Sequence, residues 1–262
     1  MKKAFILLSL IANITFAQDT AKFFSSYQLA GSISGGNSNR QLFSTSETFV
    51  YTKGKTTLST NPSFVYGTTG NNNKVAETEY FQTLSYNYHL SEKSKLMIFS
   101  DIDHSNLRSI YLRTSFGEGY LYKILDKKNL RLDVSEAFMM EKTQTLKDSL
   151  ALNLFSARLS TRVRLNLKIR DNVHISLISL IQPSIAQFFI NDVNKNISPK
   201  DNFLSRSTFL VEFSLFKNLT FVTNISYIVE TYSNYLTKEN IKLLRPLPVD
   251  YNIQFGLKYK TK

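Results

Sequence analysis

From Val249 to Lys260 the chain alternates without a break. Val249, Tyr251, Ile253, Phe255, Leu257 and Tyr259 are apolar, while Asp250, Asn252, Gln254, Gly256, Lys258 and Lys260 between them are polar or glycine. Side chains of a strand point to opposite faces in turn, so this pattern is a strand with one apolar and one polar face. A second stretch behaves alike. Leu159, Val163, Leu165, Leu167 and Ile169 share a side with Thr161, and Arg158, Ser160, Arg162, Arg164, Asn166, Lys168 and Arg170 share the other.

Period two recurs along the chain, interrupted by turn residues, and no helical period of similar strength appears. Twelve strands are expected, over about residues 26–34, 41–52, 56–66, 77–90, 96–104, 109–124, 130–141, 150–169, 173–186, 203–215, 219–231 and 248–260. The fourth carries Tyr80, Leu84, Tyr86, Tyr88 and Leu90 against Glu79, Thr83, Ser85, Asn87 and His89, with Phe81 and Gln82 out of pattern.

The first seventeen residues differ. Lys2 and Lys3 precede a short apolar run from Ala4 to Ala12, and Thr15 and Ala17 are small residues before a cut ahead of Gln18. This is the layout of an export signal, and the run is short of the ~20 apolar residues a spanning helix needs. Residues 1–17 are therefore expected to be a signal peptide, and residues 18–262 an outer-membrane β-barrel domain. No second long apolar segment follows, which argues against a helical inner-membrane protein.

An alternating sheet could be a soluble sandwich or a membrane barrel, and three features favour the barrel. Short connections at Lys53-Gly54-Lys55, 91–95, 125–129, 170–172 and 216–218 alternate with longer ones at 67–76, 142–149, 186–202 and 232–247. Short periplasmic turns and longer outer loops mark a transmembrane barrel, and an even strand count returns both termini to the periplasm. Tyr51, Tyr66, Tyr88, Tyr120, Tyr122 and Tyr259 crowd strand ends as an interfacial girdle requires; tyrosine stands in for the tryptophan that this chain lacks. The most regular strand is the last, and it must pair with the first to remove the sheet edges. The fold expected is all-β: a transmembrane antiparallel up-and-down β-barrel of about 12 strands.

Several segments also carry a resemblance. Leu29-Ala30-Gly31-Ser32-Ile33-Ser34-Gly35-Gly36-Asn37-Ser38-Asn39 is followed by the Lys53-Gly54-Lys55 turn and by Ser63-Phe64-Val65-Tyr66-Gly67. Tyr86-Asn87-Tyr88-His89-Leu90-Ser91 and Gly117-Glu118-Gly119-Tyr120 come next. Over about residues 27–180 this order resembles a family of uncharacterised outer-membrane proteins labelled salt-induced. Glu118 is a departure, since a small or apolar residue is expected in that glycine-rich strand. The resemblance implies a β-barrel in the outer membrane of a Gram-negative bacterium and no assigned activity.

Chemistry is sparse. The chain has no cysteine and three histidines, which excludes disulfides, thiolate sites and a cysteine nucleophile. No cofactor and no metal are expected. Asp101/Asp103 and Glu77/Glu79 each share a face and could hold a cation, or could meet basic lumen residues. His104-Ser105-Asn106 invites comparison with outer-membrane lipid hydrolases, which place His and Ser two apart on one face. Adjacent residues point oppositely unless a bulge intervenes, and no enzyme is expected. Gly35-Gly36 precedes a strand, so no helix N-terminus is available there to hold phosphate.

The strongest constellation is the basic ladder Arg158, Arg162, Arg164, Lys168 and Arg170. Facing lipid, each such residue near the midplane would cost about 2–4 kcal/mol, so the ladder is expected to line the interior. Two readings stand open: an anion-attracting wall in a narrow pore, or a plugged interior neutralised by Asp101, Asp103, Asp133, Glu212 and Glu230. Twelve strands lie between barrels filled by side chains and barrels with a channel.

The net charge of +12 ordinarily suggests nucleic acid, but export and strand period argue against that partner. Lys53, Lys55, Lys93, Lys95, Lys127, Lys128 and Lys217 fall with Arg170 in the short turns, against Glu92, Asp126 and Asp171. They are expected on the periplasmic rim, beside anionic headgroups. Expected partners are outer-membrane lipids, the barrel-assembly machinery through the C-terminal strand, and small anionic solutes.

Overall fold

The computed structural model describes residues 21–34, 40–69, 74–106, 110–147, 150–189, 203–230 and 249–261. The expected export segment, residues 1–17, lies outside them. Twelve strands form: β1 Lys22–Ser34, β2 Arg40–Lys53, β3 Thr56–Thr69, β4 Lys74–His89, β5 Ser94–Ser105 and β6 Ile110–Lys127, then β7 Leu130–Lys147, β8 Leu150–Arg170, β9 Val173–Phe189, β10 Phe203–Ser214, β11 Leu219–Glu230 and β12 Val249–Thr261. Each pairs antiparallel with its sequence neighbours, and β12 returns to β1, from Ser25↔Thr261 to Ile33↔Ile253. The sheet is a closed up-and-down barrel with no helix among the described residues.

Alternation fixes what each face carries. Leu159, Val163, Leu167 and Ile169 of β8 stand exposed on the outside, as do Phe255, Leu257 and Tyr259 of β12. Such residues recur on all twelve strands as an apolar belt, a surface suited to hydrocarbon and not to water. The intervening residues point into the lumen. Tyr27, Tyr86, Tyr88, Tyr120, Tyr122 and Tyr259 gather on the belt toward the end bearing the short turns, hereafter the turn end.

Local chemistry accounts for the irregular points. Gly54 takes a positive φ of 55°, which lets residues 54 and 55 alone join β2 to β3. Pro62 has no N–H, and the β2–β3 ladder skips from Ser46↔Ser63 to Phe49↔Thr60 beside it. Phe81 lines the lumen, while Gln82 on the other face donates to Thr60 Oγ1 at 3.3 Å and accepts from the Tyr80 hydroxyl. The out-of-pattern pair thus keeps strict alternation and exchanges chemistry between the faces.

Two expected loops shrink. β7 runs on to Lys147 and β8 starts at Leu150, so most of the 142–149 connection is strand. β3 and β4 likewise extend to Thr69 and Lys74. The wall from β6 to β9 has strands of 17–21 residues, whereas β10 and β11 have 12 each. Polar residues at the loop end, such as Thr143 and Gln144, belong to this taller wall and gave no apolar alternation from which to read it.

Candidate functional site

The site is the lumen, and it has two parts. Toward the loop end lies a buried ionic network. Arg158 Nη2 approaches Glu141 Oε1 at 3.3 Å, and Arg158 Nη1 donates to the Gln182 carbonyl at 3.2 Å. Arg113 reaches Glu141 at 3.8 Å through Nε and Asp103 at 3.6 Å through Nη1. Thr143 and Ser156 hydroxyls also donate to Glu141. Arg158 is only 1% exposed, and Arg113, Asp103 and Glu141 are buried with it. Registers explain the convergence: Asp103 pairs with Arg113 across β5–β6, and Glu141 with Ser156 across β7–β8.

Below the network is a cavity of about 540 Å³. Arg162 and Arg164 of β8 and Arg206 of β10 stand on one wall, with Lys95 and Arg113 completing five basic residues against Asp101, Asp103 and Glu141. The opposite wall, from β2 to β4, is neutral and carries Thr48, Asn61, Thr83 and Asn87. Asp101 accepts from Thr83 Oγ1 at 2.6 Å and from Ser115 Oγ at 3.0 Å, so hydroxyls satisfy it. Asp133 is held by Arg131 Nε at 3.1 Å. Arg162 and Arg164 take part in no ion pair within 4 Å or hydrogen bond among the described residues, and Arg164 Nε is buried without a partner. Arg162 is nonetheless exposed to the space within the barrel.

The ladder therefore divides by depth. Arg158 belongs to the network, Arg162 and Arg164 to the cavity, and Lys168 to the turn end, where it meets Asp171 at 2.7 Å. That hydrogen bond holds the exposed Asp171 carboxyl below the usual carboxylate range. Arg170 is exposed at the strand end. Glu212 meets Lys258 at 2.9 Å and Lys260 at 3.7 Å, so β12 neutralises it and the ladder does not. A second cavity of about 430 Å³ opens there, lined by Arg131, Lys168, His174, Glu212 and Lys258. The side chains of Glu77 and Glu230 lie outside the described residues.

On the rim, Lys53, Lys55, Lys93, Lys127, Lys128 and Lys217 are exposed at the short turns or the strand ends beside them. Lys95 is the correction to the expected set. β5 begins at Ser94, which makes Lys95 its second residue, and parity turns it into the cavity beside Met97.

Other candidates separate. His104 Nδ1 lies 2.8 Å from the Tyr111 carbonyl on the exposed side, whereas Ser105 is fully buried and donates to Glu79. The ladder irregularity between Asp103 and Ser105 does not bring the two together. Among the described residues no three His, Asp or Glu side chains group to hold a metal. Arg113, Arg131, Glu141 and Arg206 are lumen residues that the sequence pattern alone does not single out. Glu118 and Glu136 are exposed on the outer face, in a depression shared with Leu96, Ile98, Phe138 and Leu159.

A closed twelve-stranded barrel with an apolar exterior and a charged lumen defines the class. Within it, the chain belongs to the family described as Protein of unknown function, DUF481, which it matches over residues 27–260. No curated protein matches its sequence. Among solved structures it is similar to the COG4313 outer membrane channel from Pseudomonas putida F1, with TM-score 0.56 and 7% identity over 95% of this chain and 98% of that one. It is also similar to the NanC porin, with TM-score 0.54 and 10% identity over 90% of this chain and 100% of that one. For the KdgM porin the TM-score is 0.50 at 8% identity, over 90% of this chain and 99% of that one. At these identities the likeness is one of fold.

Proposed function

We propose that the protein is a narrow passive channel of the outer membrane whose lumen favours small anions. One observation carries this reading: Arg162 and Arg164 face the cavity with no carboxylate within 4 Å among the described residues, and its lining holds five basic residues to three acidic. Unpaired guanidinium groups in a confined space raise the local concentration of anions, which is how basic rings select in pores. The apolar belt and the likeness in fold to porins support an outer-membrane location. Export through a signal peptide cleaved after Ala17, insertion through recognition of β12 by the assembly machinery, and lipid contact at the lysine rim complete the reading. It assigns no enzymatic step.

A second reading is favoured by a specific feature as well. The Asp103–Arg113–Glu141–Arg158 network fills part of the lumen with buried, ion-paired groups, and a barrel sealed there serves the envelope mechanically or through its outer loops. Single-channel recording under a salt gradient decides between the two. Conductance steps with an anion-selective reversal potential support the channel. Folded protein that gives no steps supports the sealed barrel.

A further inference from the structure

β9 turns two adjacent apolar side chains into the lumen. Its inward residues run His174, Ser176, Ile178, Leu180, Gln182 and Ser184, polar except for Ile178 and Leu180, which line the cavity. A water-filled passage gives no reason for two adjacent inward positions to be branched aliphatics. Their register supplies one. Ile178 is the cross-strand partner of Arg164, and Leu180 that of Arg162. Leu180 is also the partner of Arg206, on the far side. The two apolar inward residues of β9 are thus set directly beside the two guanidinium groups that have no ion pair or hydrogen bond among the described residues.

More apolar surface faces the same space. Phe99 lies over Gly117, where any Cβ would overlap its ring, and Phe81 and Met97 also line the cavity. A cavity of this volume lies in the range of small-molecule sites, which combine apolar walls with a few placed polar groups. Guanidinium is planar and forked, and matches a carboxylate through two parallel N–H donors. A strongly hydrated inorganic anion would gain from the arginines but lose water against the aliphatic and aromatic surface.

We infer that the cavity is a binding site for amphipathic organic monocarboxylates, with the carboxylate on Arg162 and Arg164 and the apolar body against Leu180 and Ile178. This rests on the reading above to the extent that solute must reach those arginines through the lumen. It goes further in assigning the class of solute, a carboxylate on a compact apolar or aromatic body.

Isothermal titration of the detergent-purified barrel with benzoate tests it, with acetate, galacturonate and benzyl alcohol as comparisons. Benzoate is expected to bind saturably and at least about tenfold more tightly than each of the three. Acetate lacks the apolar body, galacturonate has a hydroxylated one, and benzyl alcohol lacks the charge. Arg162→Gln with Arg164→Gln should abolish benzoate binding, and Leu180→Asn should remove the preference for benzoate over galacturonate. Heat-modifiable migration shows that each variant has folded. Equal binding of acetate and benzoate overturns the inference, as does unchanged benzoate affinity in the double arginine variant. An anion-selective current without benzoate preference sinks the inference and leaves the channel standing. Benzoate binding without any current has the opposite effect.

Discussion

Asp133 stands directly across the β7–β8 pair from Arg164, yet its ion pair is with Arg131, two residues away on its own strand, at 3.1 Å. Residues two apart on a strand share a face, so Arg131 and Arg164 compete for one carboxylate. Arg131 makes the ion pair, and Arg164 stands farther than 4 Å from that carboxylate. Arg131→Gln should release Asp133 toward Arg164. The expected result is a reversal potential shifted toward cations, as large as that of Arg164→Ala although Arg131 lies outside the main cavity. An unshifted potential in Arg131→Gln would show that Asp133 does not move.

Replacing Arg162 and Arg164 together by Ala leaves Lys95, Arg113 and Arg206 against three acidic residues in the cavity lining. The anion preference should disappear or invert while the barrel still inserts. Ion selectivity under a tenfold salt gradient reads this directly.

The buried network makes a different prediction. Glu141→Gln takes a counter-charge from the buried Arg158, and loss of one partner from such a pair costs about 3–5 kcal/mol. The variant should unfold at lower urea concentration in reversible lipid-bilayer titrations. Glu141→Leu combined with Arg158→Met removes both charges and should recover most of that loss. If the single variant is as stable as the parent, the network is not a structural seal.

Glu118 offers the reverse case. It faces outward beside Ile98 and Phe138, in a position that hydrocarbon would surround. Glu118→Leu should stabilise the barrel in bilayers by about 1 kcal/mol, since acidic residues on the lipid face cost less than basic ones but still cost. Stability that is unchanged in lipid and in detergent would place Glu118 outside the hydrophobic layer.

Gly117 is filled from across the ladder by Phe99. Gly117→Ala should displace that ring into the cavity and destabilise by about 1–3 kcal/mol. Phe99→Ala in the same chain should restore both stability and the passage of solute, which conductance and urea titration report separately.

Much of this architecture was legible because its period is local. The β8 ladder and the apolar run beside it could be sorted to opposite faces from the spacing of Arg158, Arg162 and Arg164 alone, as could the inward position of Asp101 and Asp103. What could not be read was any relation between strands. The partition of Arg158 to the buried network and Arg162 to the cavity depends on Glu141 and Gln182 arriving at one depth, and registers of strands set that depth. Arg206 is the one basic residue on its strand, six positions from Glu212, and its significance comes only through Leu180 between it and Arg162. Lys95 differs for a smaller reason: two residues of extra strand, Ser94 and Lys95, move it from a turn to a wall. Gln82 and Phe81 looked like a lapse in the pattern, when each had taken the chemistry of the other's face.

The seam between β1 and β12 joins residues at the extremes of the barrel, with Ser25 Oγ 2.6 Å from Thr261 Oγ1 across 236 positions. Gly256 lets Ala30 and the Leu29 carbonyl press against it where a Cβ would collide. A seam of this kind cannot be sewn until the last dozen residues have arrived beside the first. Until then the sheet carries two bare edges, each able to recruit a foreign strand. The final stitch therefore acts as a completeness check on the molecule: a chain cut short before Gly256 keeps nearly all of its hairpins and still has no inside.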